Sequence, residues 1–387
     1  MRMMLLVGLL LCAGQSRAEK KPEPLPDDVV TAWKEAGATV GWMGPLRPSG
    51  QVVFDTNRER MDAARVVPAF KFKEWTAVKA AKLPVPARPF GLDLRKSKVA
   101  DDDLQRLPAM KRLAYLDLGR TLVTDKTLKR VAGLEGLAAL YLDETSVTDE
   151  GLSSLTGLKA LTHLYLVETR ITARGVRSLA ALKSLTHLDL DGVKAGDEEV
   201  KALSGLEHLL LFTLTGEQVG VTDTALAHLA GLRKLKDLTL SASKVTDKGL
   251  KDLAGHPSLA RLRLLGPRKV TDEGFGHITS LKRLADLSIS GTKVTDAGLK
   301  RLSSMKGVRR LGLSGSGEVT DAGLKHLGTM DGLDQLNLNF TKVTDEGLKE
   351  LAGLKRLEYL DLLLTKTTAE GVKRLQKALP KCKIERD

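Results

Sequence analysis

Apolar and polar positions alternate in two different ways along most of the chain. In Gln335-Leu336-Asn337-Leu338-Asn339 every second residue is leucine, the period-two signature of a short strand with one buried face. Apolar residues then return every third position, at Leu348, Leu351, Leu354 and Leu357, which suits a helix buried along one stripe. Between the two, Thr344 or Asp345 stands where a helix needs a side-chain acceptor for its free N–H groups. Gly353 fits the helix end, where a left-handed residue is wanted.

This strand-then-helix pattern repeats. The tripeptide Val-Thr-Asp begins at Val123, Val147, Val221, Val245, Val270, Val294, Val319 and Val343, at gaps of 24 or 25 apart from one gap of 74. The long gap is three repeats with two extra residues, filled by the degenerate copies Ile171-Thr172-Ala173 and Lys194-Ala195-Gly196. Weak copies open the array at Val99-Ala100-Asp101 and close it at Thr367-Thr368-Ala369, giving about twelve units between Pro89 and Pro380. The extra residues fall in the unit from Leu209 to Gly220, where a local bulge or bend is expected. One unit cannot bury its leucines alone, so neighbours must stack and the ends must be covered.

The pattern Leu-x-x-Leu-x-Leu-x-x-Thr-x-Val-Thr-Asp-x-Gly-Leu resembles the leucine-rich repeat family. Its short helical units are most similar to bacterial tandem repeats of the GALA and F-box-like kind. The resemblance covers residues 89–387, and the closing Leu375 to Ile384 resembles a terminal cap of that family. It implies an α/β fold: a horseshoe solenoid with a concave parallel sheet and convex helices. Twelve strands at ~4.8 Å give a sheet on the order of 55 Å across, far wider than a small-molecule pocket requires. Thr121, Thr145, Thr169, Thr292, Thr341 and Thr365 recur where relatives carry asparagine, and are expected to satisfy backbone groups in the turn after each strand. The recurring aspartates, Asp125 to Asp345, read as helix caps rather than a calcium ladder, because calcium repeats need dense glycine–aspartate loops.

Residues 1–18 have a basic start at Arg2, an apolar run from Leu5 to Cys12 and small residues at Ser16 and Ala18, the form of a secretory signal. Residues 19–88 differ from the repeats. A helix is expected over Asp28–Ala36, and short strands at Val52–Phe54, Val66-Val67 and Phe70–Phe72. All three tryptophans fall in this segment, which reads as a small aromatic-rich α+β cap over the first leucine layer, or alternatively as a separate binding module.

Strand residues flanking the inward leucines form three columns on the concave side. Tyr115, Asp117, Tyr141, Asp143, His163, Tyr165, His187, Asp189 and Asp191 converge there, bringing together three of the four tyrosines and two of the seven histidines. Tyrosine offers rigid contact area with a polar tip, so the patch is a candidate partner-binding face; the plainer reading is that exposed strands tolerate these residues. His163 and His187 share a column, but an exposed ladder lacks a rigid supporting shell for zinc, and no metal or other cofactor is expected. Later units present Thr239, Ser241, Arg261, Arg263, Asp286, Ser288, Arg310, Gln335, Asn337 and Asn339, smaller and mixed in charge.

Composition narrows the function. No apolar run reaches the ~18–20 residues of a spanning helix. Two cysteines, Cys12 and Cys382, cannot build a disulfide scaffold. The net charge of +13 falls mainly on the helices, favouring solubility or loose attraction to anionic envelope polymers. Nucleic-acid binding would want aromatic residues among those cations, and none are there. No nucleophile with oxyanion donors marks an enzyme. The expectation is therefore an exported, non-enzymatic protein-binding repeat protein of the periplasm, cell envelope or exterior. The alternative is an F-box-like substrate-recognition subunit of a ubiquitin ligase, for which Leu25 to Val30 supplies a faint F-box opening.

Overall fold

A computed structural model describes residues 24–46, 51–61 and 65–386. The signal expected at 1–18 lies outside these residues. The chain opens with a helix, α1 (Asp27–Glu35), and three strands, β1 (Thr39–Pro45), β2 (Val52–Asp55) and β3 (Val67–Lys71). The repeats then contribute β4 (Phe90–Asp93), β5 (Leu113–Asp117), β6 (Ala139–Tyr141), β7 (His163–Tyr165), β8 (His187–Asp189) and β9 (Leu211–Leu214). They continue through β10 (Asp237–Ser241), β11 (Arg261–Leu265), β12 (Asp286–Ser290), β13 (Arg310–Gly312), β14 (Gln335–Asn337) and β15 (Tyr359–Asp361), and β16 (Lys383–Glu385) closes the sheet. β1 pairs antiparallel with both β2 and β3; from β3 onward each strand runs parallel to the next. The helix or tight turn in each unit carries the chain back so that successive strands align. The result is an open α/β solenoid.

Register makes the core continuous. Leu116, Leu140, Leu164, Leu188, Phe212, Leu238, Leu262, Leu287, Leu311, Leu336 and Leu360 stand side by side across the strands, all fully or almost fully buried. They belong to one cluster running from Leu25 to Cys382. The two extra residues of the ninth strand's unit leave this register intact and lie in the loop after β9, which turns at Gly216 (φ 128°).

The Val-Thr-Asp-x-Gly-Leu motif stitches units together. Threonine, not aspartate, is the helix cap: Thr295 Oγ1 accepts the Ala297 N–H, and the equivalent threonines do likewise. The aspartate reaches forward instead. Asp272 Oδ1 accepts the Thr295 N–H (2.8 Å) and Oδ2 accepts the Thr295 hydroxyl (2.7 Å). The same pair of bonds joins Asp125 to Thr148, Asp223 to Thr246, Asp296 to Thr320 and Asp345 to Thr368. Each carboxylate thus sits on the first turn of its own helix, where the helix dipole favours it, and ties down the cap of the next. The degenerate unit shows the rule by breaking it. Ala173 stands in the aspartate position, and the next cap, Gly196, takes its acceptor from Glu199 Oε2 of its own helix (3.0 Å).

The post-strand threonines behave as expected: Thr121, Thr145, Thr169, Thr341 and Thr365 donate to the carbonyl three residues back. Thr292 departs, sharing its hydroxyl with Ser316 (2.9 Å). Gly353 does not adopt the left-handed conformation expected of it. The helix tightens there into a single narrow turn, Leu351–Gly353, which satisfies the end carbonyls locally. The left-handed residue of that unit follows the strand, at Phe340 (φ 57°).

The N-terminal segment covers the first layer. Trp33 stacks on Phe70 with ring centroids 4.2 Å apart and meets Phe72, Trp75 and Phe90 edge-on or tilted. Its indole N–H donates to Pro84 O (2.9 Å). β1 is not among the strands expected from the sequence, and two glycines lie within it. The glycines are close-approach points: a Cβ on Gly41 would stand 2.7 Å from the Phe54 ring, and one on Gly44 2.8 Å from Val66 Cγ2. At the other end a ten-residue helix, Ala369–Ala378, and β16 close the stack over buried Cys382.

Candidate protein-interaction face

The columns read from the sequence exist. Tyr115, Ala139, His163 and His187 are successive register partners, as are Asp117, Tyr141, Tyr165 and Asp189. Their expected exposure is corrected by the structure. Tyr115, Tyr141, Tyr165, His163, His187 and Asp143 are all buried, with Tyr141 only 3% exposed. Asp117, Asp189 and Asp191 are partly buried. The cover is the chain's own N-terminal segment. The Tyr115 hydroxyl donates to Arg65 O (2.5 Å) and the Tyr141 hydroxyl to Val52 O (2.6 Å). Met43, Val52 and Ala69 form one apolar cluster with Tyr115, Ala139, Tyr141 and Tyr165. Column geometry gives the side of a sheet on which a residue stands; it is silent about what lies over it.

Two stacks run along this covered face. The Tyr141 and Tyr165 rings are parallel, with centroids 4.2 Å apart, and the His163 and His187 rings likewise at 4.1 Å. Threonine fixes the imidazoles. Thr162 Oγ1 gives its hydrogen to Ala138 O (2.9 Å), so it accepts from His163 Nδ1–H (2.8 Å). Thr186 does the same for His187, donating to Thr162 O. Burial, and then the nearby Arg65 charge, push His187 down to about 4, so it is neutral at physiological pH. Among the described residues no group of three histidine, cysteine or acidic side chains gathers as for a metal ion.

The aspartates have structural partners. Asp117 Oδ1 accepts the Gly119 N–H (2.9 Å) and Asp189 Oδ1 the Asp191 N–H (3.1 Å), each closing the turn after its strand. Asp143 pairs with Arg95 Nη1 (2.9 Å), and Asp191 accepts from the Thr215 hydroxyl. Burial, reinforced by the neighbouring Asp93 charge, raises Asp117 to about 7, and burial raises Asp189 to about 6.

Beyond β8 the sheet presents a different face. Column neighbours Asp237, Arg261, Asp286 and Arg310 interlock. Asp286 Oδ2 accepts from Arg261 Nε (3.0 Å), Arg263 Nη2 (2.9 Å) and Arg310 Nε (2.8 Å), and Arg261 also reaches Asp237. Burial pushes Asp286 up, but the Arg263 and Arg310 guanidinium groups outweigh it and hold the carboxylate below its ordinary range. In the neighbouring row Arg263 is flanked by small side chains, Thr239 on one side and Ser288 and Gly312 on the other. This cluster is not apparent in the sequence because its members come from four units. The signal was available: Arg261 and Arg310 occupy the same column two strands apart, with an aspartate between.

Comparisons agree with this architecture. A family model described as a leucine-rich repeat region matches residues 91–326, and a second, described as a leucine-rich repeat, matches 333–352. A search among curated proteins finds no match. Among solved structures, an internalin from Listeria monocytogenes is similar at 21% identity and a TM-score of 0.53, over 85% of this chain and 91% of that one. The yeast complex of Rad7 and Elc1 contains a similar chain at 19% identity and a TM-score of 0.55, covering 74% and 78%. A leucine-rich repeat protein of Leptospira interrogans is similar at 18% identity and a TM-score of 0.50, covering 79% and 91%. These likenesses concern the fold. With a family model spanning more than half its length, parallel strands in leucine-sealed register and a stitched cap in most units, the chain belongs to the leucine-rich repeat family.

Proposed function

We propose that this protein is an exported, non-enzymatic scaffold that holds a protein partner along its concave sheet. One observation carries the reading: the face already accommodates polypeptide. Tyr115 and Tyr141 donate to main-chain carbonyls of Arg65 and Val52, and an apolar cluster seals the contact. Main-chain contact of this kind is how protein surfaces hold extended segments. In this reading Tyr115, Asp117, Tyr141, Asp143, His163, Tyr165, His187, Asp189 and Asp191 seat the chain's own N-terminal segment. A partner reaches them only by displacing it, and otherwise uses the units after β8. Export rests on the pattern of residues 1–18, and kinship with bacterial GALA-like repeats on the short Val-Thr-Asp units. Among the described residues no helix is long and apolar enough to cross a membrane.

The test uses two full-length variants. Ser288→Tyr obstructs the open concave face and Lys300→Tyr decorates the convex side. Partner capture from the native envelope should be lost only in the first; retention of every partner by Ser288→Tyr refutes the concave reading. Export is checked by mass spectrometry, which should find a mature chain starting at Glu19.

A second reading, an F-box-like subunit, gains some support from the likeness to the Rad7 and Elc1 complex. The local structure speaks against it. An F-box opening at Leu25 to Val30 would continue into further helices, whereas α1 leads directly into β1.

A further inference from the structure

The arginine cluster on β11 and β13 lies in the part of the concave face that the N-terminal segment leaves open. Arg261 is committed on both sides, to Asp237 and Asp286. Arg263 and Arg310 each commit one nitrogen to Asp286 and keep 44% and 42% of their side chains exposed, while the Asp286 side chain is 5% exposed. A guanidinium carries five N–H donors in a planar fork, so most donors of these two remain for a ligand. Three arginines against two aspartates leave the cluster net positive. Asp286 holds the forks in place before anything binds, which lowers the ordering cost of recognition.

Three features define the occupant. The row through Arg263 is otherwise small, with Thr239 on one side and Ser288 and Gly312 on the other, so a chain can lie close to the sheet beside the guanidinium. Leu265, at the end of β11 next to Arg263, is 43% exposed and offers an apolar contact inside the polar surface. Asp237 and Asp286 alternate with the arginines, an arrangement that repels a uniformly anionic polymer but suits spaced carboxylates. We infer that Arg263 and Arg310, braced by Asp286 and flanked by Leu265, form a docking site for an acidic, leucine-containing segment of a protein partner. This rests on the concave-face reading above and specifies its chemistry.

The experiment uses the full chain and labelled ten-residue peptides followed by fluorescence anisotropy. One peptide alternates Glu and Asp around a central Leu; the second replaces the acids by Gln and Asn. The acidic peptide should bind, weaken steeply with salt, and lose at least tenfold in affinity for Arg263→Gln/Arg310→Gln. It should be unaffected by Lys300→Gln/Arg301→Gln on the convex side, and the neutral peptide should not bind. Circular dichroism and thermal unfolding verify that the double variant folds, since Arg261 still pairs with Asp286 in it. The inference is overturned if the acidic peptide fails to bind or binds the arginine variant equally well. It is also overturned if heparin, a uniform polyanion, binds this site more tightly than the peptide. A partner lost by Ser288→Tyr but kept by Arg263→Gln/Arg310→Gln would sink the arginine site alone and leave the concave scaffold standing.

Discussion

Replacing Gly298 by alanine reverses the usual rule for helices. Gly298 lies in the first turn of the helix Asp296–Leu302. In an ordinary helix glycine to alanine gains about 1 kcal/mol, from helix propensity and a less floppy unfolded chain. Here the new Cβ would stand 2.4 Å from Asp272 Oδ1 and 2.8 Å from Val294 Cγ1. The carboxylate cannot simply step aside, because it holds the Thr295 N–H and hydroxyl at 2.8 and 2.7 Å. Moving it weakens hydrogen bonds to a charged group, worth about 1.5–3 kcal/mol, and overpacking adds a further 1–3. Set against the helix gain, Gly298→Ala should destabilise the protein by about 1.5–5 kcal/mol. Urea unfolding of Gly298→Ala, Asp272→Ala and the double variant reads this directly. Once Asp272 is gone only the contact with Val294 Cγ1 remains, so adding Gly298→Ala to Asp272→Ala should cost clearly less than adding it to the wild type. A Gly298→Ala that stabilises the wild-type background, or an effect of equal size in both backgrounds, would show that the stitch is not what requires glycine. Elsewhere the position is remodelled: Thr127 stands there opposite Asp101 and donates both its N–H and its hydroxyl (2.6 Å) to the same carboxylate oxygen.

Other outcomes follow from the same structure. Asp272→Asn should cost less than Asp272→Ala in urea unfolding, since the amide oxygen still accepts the Thr295 N–H; the alanine should lose about 2 kcal/mol. Asp117 has its pKa raised to about 7, so the native state holds a proton that the unfolded chain releases. This destabilises the fold progressively from pH 4 to 7 and fully above. Asp117→Asn should therefore gain about 2–4 kcal/mol at pH 8 and little at pH 4, measured by unfolding at both. His187, pushed down to about 4, acts at the opposite end: stability is unaffected above pH 6.5 and falls as pH drops from 6.5 to 4, and His187→Gln should flatten that decline. Tyr141→Phe removes the bond to Val52 O, and amide exchange over residues 51–55 should accelerate several-fold while the melting temperature moves little.

Much of the fold is legible in the leucines because each unit repeats the same local problem. The alternation in Gln335 to Asn339 and the triplet spacing from Leu348 to Leu357 give strand and helix directly, and the twelve repeat strands follow from the period. What fails are contacts the period does not encode. Asp272 reads as a cap for its own helix, since nothing local shows that its oxygens serve Thr295 of the next unit. Gly353 reads as a left-handed terminus, but its helix closes in the tight turn Leu351–Gly353 instead; the left-handed glycine occurs at the equivalent position of another unit, Gly255 (φ 69°). β1 disappears behind Gly41 and Gly44, whose lack of a side chain is the very condition for its pairing. The tyrosine and histidine columns are correctly aligned in the sequence, whereas the burial of the tyrosines depends on Met43, Val52, Arg65 and Ala69, which belong to no repeat. The arginine cluster is split among units whose spacing hides its unity.

The two halves of the concave sheet pose one physical problem with two answers. Tyrosine columns in open water would expose a broad apolar surface on an edge-to-edge array of strands, a surface prone to uncontrolled association. Over β5 to β7 the chain resolves this by laying its own N-terminal segment on the tyrosines, with hydroxyls to Arg65 O and Val52 O fixing the register. Over β10 to β13 it resolves it by changing the residues: Thr239, Ser288 and Gly312 need no cover, and Arg261, Arg263 and Arg310 are neutralised in part by Asp237 and Asp286. The first answer is a surface already satisfied; the second is a surface stable without a ligand yet still rich in unused donors. A binding protein needs the second kind where its partner arrives, because a site that must first expel its own cover loses that contact energy from its affinity. On the proposed reading, division of the sheet in this way gives recognition to the arginine-bearing units, and leaves the covered tyrosines as the part of the face that closes the start of the solenoid.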